Sequence, residues 1–145
     1  MDMFGLDDEL TRLETALITD TGAARLADLV ALAWYLRQRD TSRALKLADE
    51  AQACVQTASQ GEANRFSGRF SGRLLGRLLG RLLLVRAEAE WLYSRLDKAL
   101  SLAREAEGHF HSTDHDIDMA DTYFIMAGIA SDRGMLMLHD EQLAQ

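Results

Sequence analysis

Proline is absent from all 145 residues, so the chain lacks the commonest interrupter of helices. Cysteine occurs once, at Cys54, which excludes an internal disulfide framework and fits a reducing, cytoplasmic setting. Ala51, Val55 and Ala58 recur around it at helical spacing, and Cys54 reads as a small core residue. No apolar run approaches the roughly 20 residues needed to span a bilayer. The opening MDMFGLDDEL is acidic where a secretory signal needs basic residues. Lysine and arginine number 16 against 23 acidic residues, a net charge of −7 that argues against a general nucleic-acid binder.

What is present is helical. Hydrophobic residues make up 48% and charged residues 27%, a globular balance in one domain over residues 1–145. Alanine, leucine and arginine are abundant, and apolar spacing of three and four is nearly continuous. The pattern predicts a first helix from Asp7 to Ile18, with Asp7, Asp8 and Glu9 at its positive end. Thr19 to Gly22 reads as a turn before a second, largely buried helix from Ala23 to Arg39. Asp40, Thr41 and Ser42 offer caps for a third helix, from Arg43 to about Ser59 and closed by Gly61. A fourth is expected from Glu62 to Ser94, and a fifth from Asp97 to about Phe110. After a polar connection, a sixth begins near Ile117 and a seventh opens at Met135.

Two of these segments are copies. Arg43–Ala51 (RALKLADEA) and Lys98–Ala106 (KALSLAREA) share the pattern basic-A-L-x-L-A-x-E-A. Each follows an aromatic helix end, Trp34-Tyr35-Leu36 or Trp91-Leu92-Tyr93. Small alanines let the second helix of a pair lie close to the first. This arrangement resembles the tetratricopeptide (TPR) repeat, a helix-turn-helix of about 34 residues. The resemblance covers roughly residues 23–145, without the usual glycine of the first helix or the proline after the second. It implies an all-α array of antiparallel helix-turn-helix pairs stacked as a short TPR-like array, with one lengthened central helix.

The lengthening comes from five tandem tetrads, RFSG-RFSG-RLLG-RLLG-RLLL, spanning residues 65–84. The two copies lie 55 residues apart, and without these twenty residues the separation would be 35, an ordinary repeat length. Four added residues turn a helix by about 400°, so each tetrad shifts the phase by only about 40°. Helix can survive the expansion, although no single buried stripe persists through it. The glycines form a ridge along which another backbone can approach. Beside it, Phe66, Gly68, Phe70, Gly72, Leu74, Leu75, Gly76, Leu78, Leu79 and Gly80 are the candidate partner-binding residues.

Four readings of the tetrads stay open: an expansion without dedicated function, a self-association helix that includes exchange between protomers, a basic helix lying on anionic membrane, or a nucleic-acid surface. The first two fit an acidic chain better than the last two. His109, His111 and His115 lie among Asp114, Asp116 and Asp118 but match no metal-ligand spacing, and read as a solvated helix end. No catalytic residues, metal ligands or cofactor-binding residues are assigned, because no carboxylate pair, nucleophile motif or phosphate loop is present.

The style of the repeats also looks like the N-terminal regulatory arrays of bacterial signalling proteins, diguanylate cyclases with GGDEF output domains first and LuxR-type regulators second. That likeness implies a non-catalytic sensory or protein-interaction module, with an effector expected beyond Gln145. Its partner would be a protein, either an effector domain or a second copy in a homo-oligomer, with no nucleic acid and no membrane. The alternative is a structural oligomerisation element in which the Arg65–Leu84 helix is the working surface.

Overall fold

The computed structural model describes residues 3–61, 72–110 and 116–143. Six α-helices account for nearly all of them: α1 (Met3–Thr19), α2 (Gly22–Leu36), α3 (Thr41–Gly61), α4 (Gly72–Leu92), α5 (Leu96–Phe110) and α6 (Asp116–Leu143). Chain neighbours pack as hairpins, α2 with α3 and α4 with α5, and the described residues contain no strand.

The copied segments face the core in the same way. Ala44, Ala48 and Ala51 of α3 are fully buried, and so are Ala99, Ala103 and Ala106 of α5. A side chain of one carbon leaves the facing helix room to approach, and the larger residues come from that facing helix. The core forms two clusters separated by α4. Its Leu78, Leu82 and Val85 join α1, α2 and α3, whereas its Leu84 and Ala87 join α5 and α6. These sets point to opposite sides of one helix, so α4 is sandwiched. Trp34 packs against both clusters and ties them together.

The hairpin turns use different chemistry. Asp40 caps α3, its Oδ1 accepting the Arg43 N–H at 3.1 Å, as the polar run Asp40-Thr41-Ser42 predicts. Between α4 and α5, Ser94 adopts φ 61°, the Arg95 N–H donates to the Glu90 carbonyl, and the Ser94 N–H donates to the Trp91 carbonyl. This pair of bonds is a Schellman closure with serine where glycine is usual.

Two expectations need correction. The helix begun at Ile117 does not end before Met135: α6 runs unbroken through Gly134 to Leu143, since an isolated glycine lowers helical preference without breaking a helix. The first helix starts at Met3, so Asp7, Asp8 and Glu9 lie beyond its first turn. Two of them find side-chain partners in place of the helix dipole, Asp7 with Arg39 and Glu9 with Arg12.

Candidate functional site

α2 presents Ala27, Val30, Ala31, Trp34 and Tyr35 at spacings of three and four, which is one continuous helix face. Opposite it, α4 contributes Arg77, Leu78 and Arg81, and the start of α6 adds Ile117 and Asp121. Between them lies a groove of about 310 Å³. Its lining combines the small side chains of Ala27 and Ala31 with two aromatic rings and two guanidinium groups.

The guanidiniums are held by a buried acid. Asp118 is fully buried, and its Oδ2 accepts from Arg77 Nε at 2.7 Å. Arg81 Nη2 lies 2.6 Å from Asp118 Oδ1, an ion-pair contact off hydrogen-bond alignment. Arg81 Nη1 donates to Asp121 Oδ2 at 2.7 Å. Thr122 closes the cluster, its hydroxyl donating to the Asp118 carbonyl. A buried carboxylate without such partners would be strongly destabilising, so these arginines are required by the fold as well as present at the groove. Arg81 is nearly enclosed, whereas the Arg77 side chain keeps 36% exposure and is the cation a ligand can reach.

Trp34 is flanked by two cations, Arg37 at 3.7 Å and Arg81 at 4.6 Å from the ring centroid. Arg37 Nε and Gln38 Nε2 both donate to the buried Glu88 of α4. The end of α2 is thereby fastened to α4 along one side of the groove, and each arginine beside Trp34 is hydrogen-bonded to a carboxylate.

The predicted partner-binding residues fall into three groups. Phe66, Gly68 and Phe70 lie outside the described residues. Gly72 opens α4, and Leu74, Leu75, Gly76, Leu78, Leu79 and Gly80 follow on it. Of these, Leu78 is buried in the first core cluster, and Leu75 and Leu79 pack against it. Gly80 is buried beneath Phe110, where an added Cβ would lie 2.5 Å from the ring Cε1. Leu75, Leu78, Leu79 and Gly80 are thus taken up within the chain, whereas Leu74 keeps 38% exposure. Among these residues only Leu78 lines the groove.

His111, His115 and Asp114 are outside the described residues, and Asp118 is committed to arginine. Among the described residues no three His, Cys, Asp or Glu side chains gather in metal-binding geometry. Also among them, no helix is long and apolar enough to cross a membrane.

The groove residues carry a faint sequence signal that periodicity alone does not isolate. Arg77 and Arg81 are four apart, Asp118 and Asp121 three apart, so each pair occupies one helix face and the two faces are complementary. Without knowing that α4 meets α6, the arginines read as a solvated ridge and the aspartates as a polar helix start. No family model, no curated protein and no solved structure matches the chain.

Proposed function

We propose that the chain is a non-catalytic interaction module of a regulatory protein, a short TPR-like array that holds a peptide segment of a protein partner in the groove between α2 and α4. The observation that carries this reading is the groove itself, a continuous α2 face set against Arg77 and Arg81. Its lining residues are pre-ordered by Asp118 and Glu88, which lowers the entropy lost when a ligand binds. The alanine lining fits an aliphatic or aromatic side chain, and the exposed part of Arg77 fits a carbonyl or carboxylate acceptor beside it. The charged groups that line the groove, Arg77, Arg81 and Asp121, are held in ion pairs with one another and with the buried Asp118, an arrangement suited to orientation and not to proton transfer.

Peptide display against the full chain tests this. Selected peptides are expected to bind wild type and to lose at least tenfold affinity when Ala31→Arg fills the groove, with the melting curve of the variant showing that it still folds. Peptides that bind the filled variant equally well would place recognition elsewhere.

A further inference from the structure

Among the described residues, most of the exposed large apolar side chains are on α6. The side chains of Asp118, Thr122, Ile125 and Ile129 point into the body, and the opposite side of the helix is exposed from Ala120 to Leu138. Ala120, Phe124, Ala127, Ser131, Gly134 and Leu138 make up that outer seam, and all six are exposed. Phe124 and Leu138 keep 74% and 61% exposure. Their spacings are four, three, four, three and four, the interval at which one helix meets another along a left-handed seam.

We infer that this seam is a self-complementary interface, covered by α6 of a second copy running antiparallel about a two-fold axis near Ile129. The spacing reads the same in both directions, so an antiparallel copy brings every seam residue opposite another. Leu138 then faces Ala120, Phe124 faces Gly134, and Ala127 faces Ser131. Each large side chain meets a small one, which is the condition for interdigitated packing. A parallel copy would set Phe124 on Phe124 and Leu138 on Leu138, and leave gaps between.

At this face charge does not oppose that occupant. Two copies of a chain of net charge −7 repel one another over most of their surface. The seam from Ala120 to Leu138 carries no charged residue, because the ionisable groups within that stretch are engaged with the body of the protein. Asp121 pairs with Arg81, Asp132 accepts from Trp91 Nε1, and Arg133 pairs with Asp97. Two copies therefore meet here without burying an unpaired charge.

The area sets the strength. The 19 residues from Ala120 to Leu138 run about 28 Å along the helix and, with Tyr123 and Met135 on the flanks, would bury on the order of 500 Å² per copy. A total of about 1,000 Å² lies at the lower limit of specific interfaces, so the dimer is weak and concentration-dependent.

Sedimentation equilibrium of the full chain over a wide concentration range is the test. The wild type should pass from monomer to dimer. Phe124→Glu should weaken association at least tenfold while leaving the circular-dichroism melt unchanged, since the side chain touches little within its own chain. Ala120→Lys alone and Leu138→Glu alone should each weaken it, and the two together should restore it, because only an antiparallel pair sets position 120 against position 138. A chain that stays monomeric at every concentration overturns the inference. So does a dimer indifferent to Phe124→Glu, a double variant that gains nothing back, or a dimer lost only with Phe66→Ala and Phe70→Ala.

Discussion

The two halves of the molecule, α1 to α3 and α4 to α6, close around the same alanine stripe but hold it by different means. In the first half, Leu13 of α1 enters the core beside α2, and much of the polar chemistry lies at the surface, in pairs such as Arg25 with Glu50 and Arg43 with Glu14. Exposed pairs of this kind contribute roughly 0–1 kcal/mol each. In the second half the stripe is reached by removing side chains. Gly80 admits the ring of Phe110, and Gly128 admits the ring of Trp91. Alongside exposed pairs such as Arg133 with Asp97, it holds a buried acid in the Asp118 cluster, and its last helix is left bare on the outside. Both pairs are sealed by a third helix, α1 in the first half and α6 in the second, and the second half adds closer approach at its glycines. Its third helix still leaves an apolar face for something else to cover.

The joint between the halves should be the most sensitive point. Arg81 stacks on Trp34 of the first half and neutralises Asp118 and Asp121 of the second. Arg81→Met keeps much of the aliphatic volume but leaves the buried Asp118 with Arg77 alone. We expect a loss of about 3 kcal/mol in urea unfolding. A loss within the range of an exposed pair would mean that solvent reaches Asp118 and that the halves are not locked together here.

The glycines of the tetrads sharpen the comparison, because two of them four residues apart meet different surroundings. At Gly80 a side chain would collide with the buried Phe110, so Gly80→Leu should cost about 2 kcal/mol through overpacking. At Gly76 the nearest atom to an added Cβ is the His109 carbonyl oxygen at 3.8 Å, ordinary contact distance. There the helix preference for alanine operates unopposed, and Gly76→Ala should stabilise by up to about 1 kcal/mol. Thermal melts of the two variants should move in opposite directions. Equal shifts would show that the close approach of α4 to α5 does not depend on Gly80.

These same residues show what could be read without coordinates. The alanine copies at Arg43–Ala51 and Lys98–Ala106 announced their buried faces, because one period of 3.6 runs through each and the burial is local to the helix. The tetrads did not, since a strict period of four rotates the pattern and presents apolar residues on several sides in turn. Only the contact of α4 with helices on both sides explains why that suits a sandwiched helix. The groove was illegible for a related reason. Arg77 finds Asp118, and Arg37 finds Glu88, across 41 and 51 residues of sequence, and no local pattern encodes such a meeting. The continuation of α6 past Gly134 is hard to read in the sequence because a glycine near a run of methionines looks like a boundary, whereas proline, the residue that enforces one, is absent throughout.

The smallest expected effect belongs to the first half and tests its looser electrostatics. Asp28 of α2 has Oδ2 buried without a hydrogen-bond partner, and burial, reinforced by the neighbouring Asp20 carboxyl, pushes its pKa up to about 6 from an ordinary 3.8. The folded chain holds this proton more tightly than the unfolded chain. The associated stability is therefore present in full below about pH 4 and is lost as pH rises through about 6. Asp28→Asn removes the charge permanently, so at pH 7 it should melt higher than wild type, by under about 1 kcal/mol once solvent screening is counted. That advantage should shrink as the pH is lowered from 7 towards 4, where the wild-type carboxyl is itself protonated. A difference that stays constant across that range would mean that the asparagine acts through packing and that Asp28 is not the titrating group. If the difference shrinks as expected, the contrast is complete: the second half buries its acid against two arginines, and the first half tolerates one that is only partly compensated.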